Sequence, residues 1–352
     1  MAYTTIDDPS THFYAYAFSK SSGTGSATFD GNSDLQPDFL WVKSRTNADS
    51  HELWDSTRGV SSTLFADVNE AADPSDNRLV SFNTDGFTWG NAGNLNAAGN
   101  FVSWAWKANA GSTSSNTSGT LTSTIQSDTT AGFCIATYTG NGTTGATYGH
   151  NLGVAPDIMF TKNLTSNNTN WSVDGSIGDM VYGTNKLILD TNAALGADTN
   201  NVTGASSTLI TVGNGANCNQ NTSSHVAYLF AEKQGYSKFG KYTGNGNADG
   251  TFVYTGFKPA FLMIKQTSAA NNWVMIDSAR DTYNAADATV YADLGNAEEN
   301  PASSVTGVDL LSNGFKFRDS KSFWNTSGGT YMYMAFARNP FVTSTGIPTT
   351  AR

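Results

Sequence analysis

The chain writes one heptad three times: PDFLWVK at residues 37–43, PDIMFTK at 156–162 and PAFLMIK at 259–265. Each copy is a proline, a small or acidic residue, a mostly apolar run and a lysine. A segment repeated at a fixed interval is one structural unit copied, and it has to be read before any other signal. The three prolines lie 119 and 103 residues apart (Pro37, Pro156, Pro259), so the unit is about 100 residues long.

The copies agree beyond the heptad. FCIATYTGNG precedes the second and SKFGKYTGNG the third, while the first opens more divergently with HFYAYAFSKSSG from His12. A tryptophan follows each lysine at a short distance (Trp54, Trp171, Trp273). Copies one and three share Asp55-Ser56-Thr57-Arg58 and Asp277-Ser278-Ala279-Arg280, and each copy closes on an aromatic run: FVSWAWKA, HVAYLFAE and YMYMAFAR. In FVSWAWKA, Phe101, Ser103, Ala105 and Lys107 fall on one side, with Val102, Trp104 and Trp106 on the other. That alternation is the period of a half-buried antiparallel strand. The apolar run after each proline reads as a more central strand, with the proline at its first residue, where a missing N–H costs little.

Short strands at this spacing, separated by turn residues (Gly alone numbers 35), predict an all-β chain. The expected architecture is three tandem antiparallel β-sandwich repeats, lectin- or jelly-roll-like. Repeat one covers 1–109, a linker 110–131, repeat two 132–235, repeat three 236–342, and a loosely ordered tail 343–352. The first half of AGSTSSNTSGTLTSTIQSDTTAG reads as flexible linker, and TLTSTIQ as an edge strand or connecting ribbon. Repeats two and three are joined so tightly that they should pack rigidly, leaving repeat one free to sit at another angle.

Composition excludes several functions. Only 14% of residues are charged and the net charge is −10, which leaves no basic face for nucleic acid. No run of 18 apolar residues predicts a membrane span. MAYTTIDDPSTHF lacks the pattern of a secretory signal, so synthesis in a cytoplasm is expected, with action outside the cell after lysis. Cys134 and Cys218 both fall in repeat two and read as small buried side chains, with a disulfide as the alternative.

Candidates for chemistry are thin. His12, His51, His150 and His225 show no metal-ligand spacing, and no nucleophile, zinc or phosphate-loop motif occurs. Asp55 and Asp277 recur at matching places, which favours a turn or a pair with Arg58 and Arg280 over a glycosidase role. Asp30, Asn32 and Asp34 place oxygens at alternate positions, like the start of a Ca²⁺ loop, without the later bidentate Glu; a plain turn is the competing reading. The sequence assigns no catalytic residue, no cofactor and no receptor-contacting residue.

The runs YTGNG, PDIMFTKN, KFGKYTGNGNADGTFVYTGFKPAFLMIKQT and LLSNGFKF…GGTYMYMAFARNPF, with the opening MAYTTIDDPSTHF, resemble a family of marine-bacteriophage proteins of uncharacterised role, found in phages of cyanobacteria and SAR11-type hosts. That resemblance implies a virion-surface protein, tail-fibre-like, with lectin-like β-sandwiches. Its expected partners are other tail or capsid subunits and a host-surface glycan or receptor. A homo-oligomer, on a fibre most often a trimer, is the expected assembly. A capsid decoration protein or head fibre is the second reading, and a polysaccharide-degrading enzyme the third.

Overall fold

The computed structural model describes residues 2–299 and 307–350. The fold is all-β and its ladders are antiparallel, arranged as three large and three small sheets.

The same strand order recurs three times. In the first large sheet, Phe13–Lys20 lies beside Gly99–Trp106, then Phe39–Ser44, Glu52–Asp55 and Gly59–Phe65. In the third, Ser237–Thr243, Thr330–Pro340, Phe257–Gln266, Val274–Asp277 and Val290–Tyr291 follow in that order. The second repeats it with Phe133–Thr139, Ser224–Phe230, Ile158–Asn163, Ser172–Gly175 and Asn185–Ile188, and adds strands at both edges. Each large sheet is faced by a three-stranded one, and each pair encloses a buried cluster of its own: around Trp54 and Phe87, around Tyr148 and Ile210, and around Phe315 and Trp324.

The closing strands are not half-buried. Phe101 and Ala105 face the first unit's own cluster, but Val102, Trp104 and Trp106 enter a fourth cluster to which all three large sheets contribute. The period of 2 was legible; burial of both faces comes from the arrangement of the sheets. At the centre stand Trp106, Phe230 and Phe336, which hold the same register position against Phe39, Ile158 and Phe261. Their centroids are 6.1, 5.8 and 5.6 Å apart, and each pair meets edge-to-face. That arrangement puts a positive ring edge on a negative face at each corner. The packing leaves a void of only about 20 Å³, walled by aromatic and aliphatic side chains, so the core is dry.

Residues 110–131 are more than a linker. Ser114–Asn116 and Ser123–Asp128 pair with each other, and the latter pairs with Phe133–Thr139, widening the second sheet. TLTSTIQ therefore supplies the start of a true strand. The tail is tied down as far as it is described: Ser344 N–H donates to Asp7 at 2.6 Å, and Thr349 N–H donates to the Phe341 carbonyl. Pro259 sits inside its strand at a register irregularity, not at the first residue, whereas Pro37 and Pro156 precede theirs.

Candidate functional site

Strand register makes the three units comparable residue by residue, and the positions that match are those that join them. Leu53, Val173 and Met275 pair with Trp41, Phe160 and Met263. Two residues earlier stand His51, Trp171 and Trp273. Trp54 is therefore not the counterpart of the other tryptophans. It points into its own unit and donates to Thr63 Oγ1 at 2.9 Å.

These three rings close a cycle. Trp171 Nε1 donates to the Phe65 carbonyl of unit one at 2.8 Å, and Trp273 Nε1 to the Ile188 carbonyl of unit two at 2.9 Å. His51 Nε2 lies 2.9 Å from the Tyr291 carbonyl of unit three. The indole of Trp41 can only donate, and it meets His51 Nδ1 at 2.8 Å, so the imidazole proton must be on Nε2. The acceptors Phe65, Ile188 and Tyr291 are themselves equivalent. Behind each ring an aspartate accepts its backbone N–H: Asp67 at 3.1 Å, Asp190 at 2.8 Å and Asp293 at 2.8 Å. Burial raises all three carboxyls, Asp293 to about 6.

The repeated lysines serve the same joints. Lys43, Lys162 and Lys265 are fully buried. Lys43 Nζ reaches the Gly295 carbonyl across one junction at 3.3 Å, and Lys265 Nζ the Asn192 carbonyl across another at 3.1 Å. Lys162 Nζ donates to Thr169 O at 2.5 Å. Burial pushes all three ammonium groups down to about 8.

Asp55 and Asp277 are likewise joints. Arg58 Nε donates to Asp55 at 2.5 Å, and Tyr228 OH of unit two donates to the same oxygen at 2.7 Å. Arg280 Nε donates to Asp277 at 2.6 Å, which also accepts Trp104 Nε1 of unit one at 3.1 Å. Unit two has Gly175 and Gly178 at these places, opposite Met334.

The surface differs among the junctions at one point. Between units two and three, Lys241 pairs with Asp179 at 2.8 Å, and Gly178 lies against the lysine stem. Between units three and one, Arg45 forms a bidentate pair with Glu298, which also contacts Arg280. Between units one and two the corresponding space is an open groove of about 410 Å³. Its lining includes Thr57, Arg58 and Ser62 from unit one, and Thr122, Thr124, Thr137, Thr139 and Ser224 from unit two. The added strand Ser123–Asp128 extends its floor, and Gln126 Nε2 ties that strand to Ser56 and Thr57 Oγ at 2.8 and 2.9 Å.

Other sequence candidates sit elsewhere. Asp30 and Asn32 line a smaller cleft with Asp8, Tyr14 and Arg338, where Asp30 accepts from Tyr14 OH at 2.8 Å. Asp34 does not join that lining, and among the described residues no three His, Cys, Asp or Glu side chains converge as metal ligands. Cys134 and Cys218 are free thiols, both buried. His225 stacks on Tyr138 with centroids 5.2 Å apart, and burial pulls its imidazole down to about 4. The most perturbed carboxyls, Glu52 and Asp174, both raised to about 7 by burial, lie within the sheets and line none of these clefts. The sequence carried no signal for the groove, because its hydroxyls come from separate stretches, one of them (Thr122 and Thr124) with the composition of a linker.

Fold and surface together define an all-β, antiparallel protein in which three similarly ordered large sheets close around one core. The chain belongs to the DUF7483 family, a domain of unknown function, whose model matches residues 8–340. No curated protein and no solved structure matches it. No helix among the described residues is long and apolar enough to cross a membrane.

Proposed function

We propose that the protein is a non-enzymatic component of a bacteriophage particle surface, built from three tandem sandwich modules of one type, and that it contacts host-envelope glycans or another receptor as part of a tail fibre or spike. The observation that carries this reading is the cyclic closure. Six of the recurring residues, Lys43, Lys265, Asp55, Asp277, Trp171 and Trp273, bond across the junctions and hold the three modules around one core, which leaves loops and a wide groove at the surface. A scaffold of that kind suits binding surfaces carried on loops. The carboxyls raised furthest, Glu52 and Asp174, bond within their own units to Arg78 and Ser172 and line neither cleft.

A capsid decoration protein or head fibre is the second reading. It is favoured by the internal threefold arrangement, which would let a single copy match a threefold position on a particle. By the same argument a homotrimer is not needed for threefold display, although other virion subunits remain the expected partners. The test is labelling of intact particles with an antibody against the purified chain, read by electron microscopy. Label at the tail tip supports the first reading and label on the head supports the second. Absence from purified particles overturns both.

A further inference from the structure

We infer that the groove between units one and two is a binding site for an uncharged, polyhydroxylated ligand, a short stretch of neutral glycan. This deepens the function proposed above and rests on it.

The floor is a sheet face on which Thr124 lies opposite Thr137, and Thr139 opposite Ser224. Thr137 and Thr139 alternate along one strand and Thr124 lies on the next, so their side chains point the same way, and Thr122, just before that strand, joins them in the lining. Neighbouring strands lie about 4.8 Å apart and alternate residues about 6.8 Å apart, which spreads the hydroxyls over an area able to meet more than one sugar hydroxyl. Thr122, Thr124, Thr139 and Ser224 are exposed. Their hydroxyls make no hydrogen bond to another described residue, and each can donate and accept.

The walls decide the charge of the ligand. Arg58 is the cation in the lining, and it is already spent: Asp55 neutralises it, and Ser62 takes its Nη1 at 2.8 Å. No carboxylate lines the groove. An anionic chain would meet no free cation and a cationic one no free anion, whereas a neutral ligand exchanges hydroxyl for hydroxyl. Leu164 adds an apolar patch suited to C–H groups.

Comparison within the molecule strengthens the assignment. At the place of Thr137, unit three has Lys241, tied to Asp179, and unit one has Ala17, next to a junction closed by Arg45 and Glu298. One equivalent site is filled by an ion pair, and a second pair, Arg45 with Glu298, bridges another junction. The third is left open and enlarged by an added strand.

The experiment is affinity electrophoresis of the purified full chain in gels containing dextran, mannan or a neutral galactan, with alginate as the acidic comparison. The variants are Thr139→Trp and Thr124→Trp, both on exposed floor positions, with Thr243→Trp at the equivalent place in unit three as control. The expected result is retardation in at least one neutral gel, reduced at least tenfold in apparent affinity by each groove variant and unchanged by the control. Circular dichroism of the variants checks that the fold is intact. If the wild type is retarded and the groove variants are retarded equally, this assignment fails while glycan contact stands. Retardation by alginate alone overturns the assignment of a neutral ligand. If no polysaccharide retards the wild type, both the assignment and the glycan-contact reading fall.

Discussion

Two junctions of the molecule are built from the same scaffold positions with opposite chemistry. Where unit three meets unit one, Asp277 and Arg280 form an ion pair with no exposed surface, and the Trp104 indole completes it. Where unit two meets unit three, the matching places hold the uncharged Gly175, Gly178 and Met334, and Gly178 lies against the Lys241 stem. Both junctions also carry the ring-to-carbonyl clamp. The difference teaches that two units can be joined without a buried ion pair, by the clamp, the shared core, the Lys265 contact to Asn192 and the surface pair of Lys241 with Asp179. The ion pair is then a device that commits: once buried, neither partner can be removed alone without stranding the other.

The largest effect should come from breaking that pair on one side. Asp277→Ala is expected to lower unfolding stability by about 3–5 kcal/mol, since it strands a buried guanidinium. Asp277→Leu combined with Arg280→Met should recover most of the loss and make these places uncharged, like their counterparts. Chemical denaturation of the three proteins checks this, and a double variant as unstable as the single would break the comparison.

The clamps come next. Trp273→Phe removes the indole donor from the Ile188 carbonyl, whereas His51→Phe strands the Trp41 indole N–H and also leaves the Tyr291 carbonyl with the Leu294 N–H in place of two donors. At about 1–3 kcal/mol for each buried group left unpaired, the histidine variant should be the less stable of the two. Thermal unfolding side by side reads the order directly.

A pH effect of intermediate size separates the lysines from the rest. Their folded values near 8 lie below the ordinary 10.5, so between those limits the unfolded chain binds more protons and stability rises with pH. The surrounding carbonyls favour the charged form and soften the slope, which has a ceiling of about 1.4 kcal/mol per pH unit for each lysine. Buried tyrosines such as Tyr228 and Tyr242, raised above 10 by burial, act in the opposite sense at higher pH. The midpoint of unfolding should therefore increase from pH 8.2 to 9.8, and Lys162→Met should flatten that rise.

The smallest effect is expected at the surface. Lys241 and Asp179 are 54% and 38% exposed, and replacing both with Ala should change stability by no more than about 0.5 kcal/mol. A larger loss would mean that the plug, rather than the clamp, holds units two and three together.

The residues that fold each unit could be read directly. Alternation in FVSWAWKA and the heptad after each proline mark strands because side-chain direction along a strand is a local property. The pairing of Asp55 with Arg58 is equally local, three residues apart. His51 was not legible as the partner of Trp171 and Trp273, because Trp54 lies nearby and only the register against Trp41 distinguishes them. The groove was invisible for a related reason. Thr122 and Thr124 look like filler in a polar stretch until the added strand lays them beside Thr137 and Thr139 of the repeat.

By itself, then, the amino-acid order determined that short strands would form, that they would be antiparallel and that one pattern would recur three times, since these depend on neighbours within a few residues. Only tertiary structure decided which recurring lysines, aspartates and rings would meet across junctions, that the closing strands would be buried on both sides, and that the junction of units one and two would hold a wide groove lined by hydroxyls. Those outcomes depend on how the large sheets meet around Trp106, Phe230 and Phe336, which lie more than 100 residues apart along the chain. No local preference encodes contacts at that range.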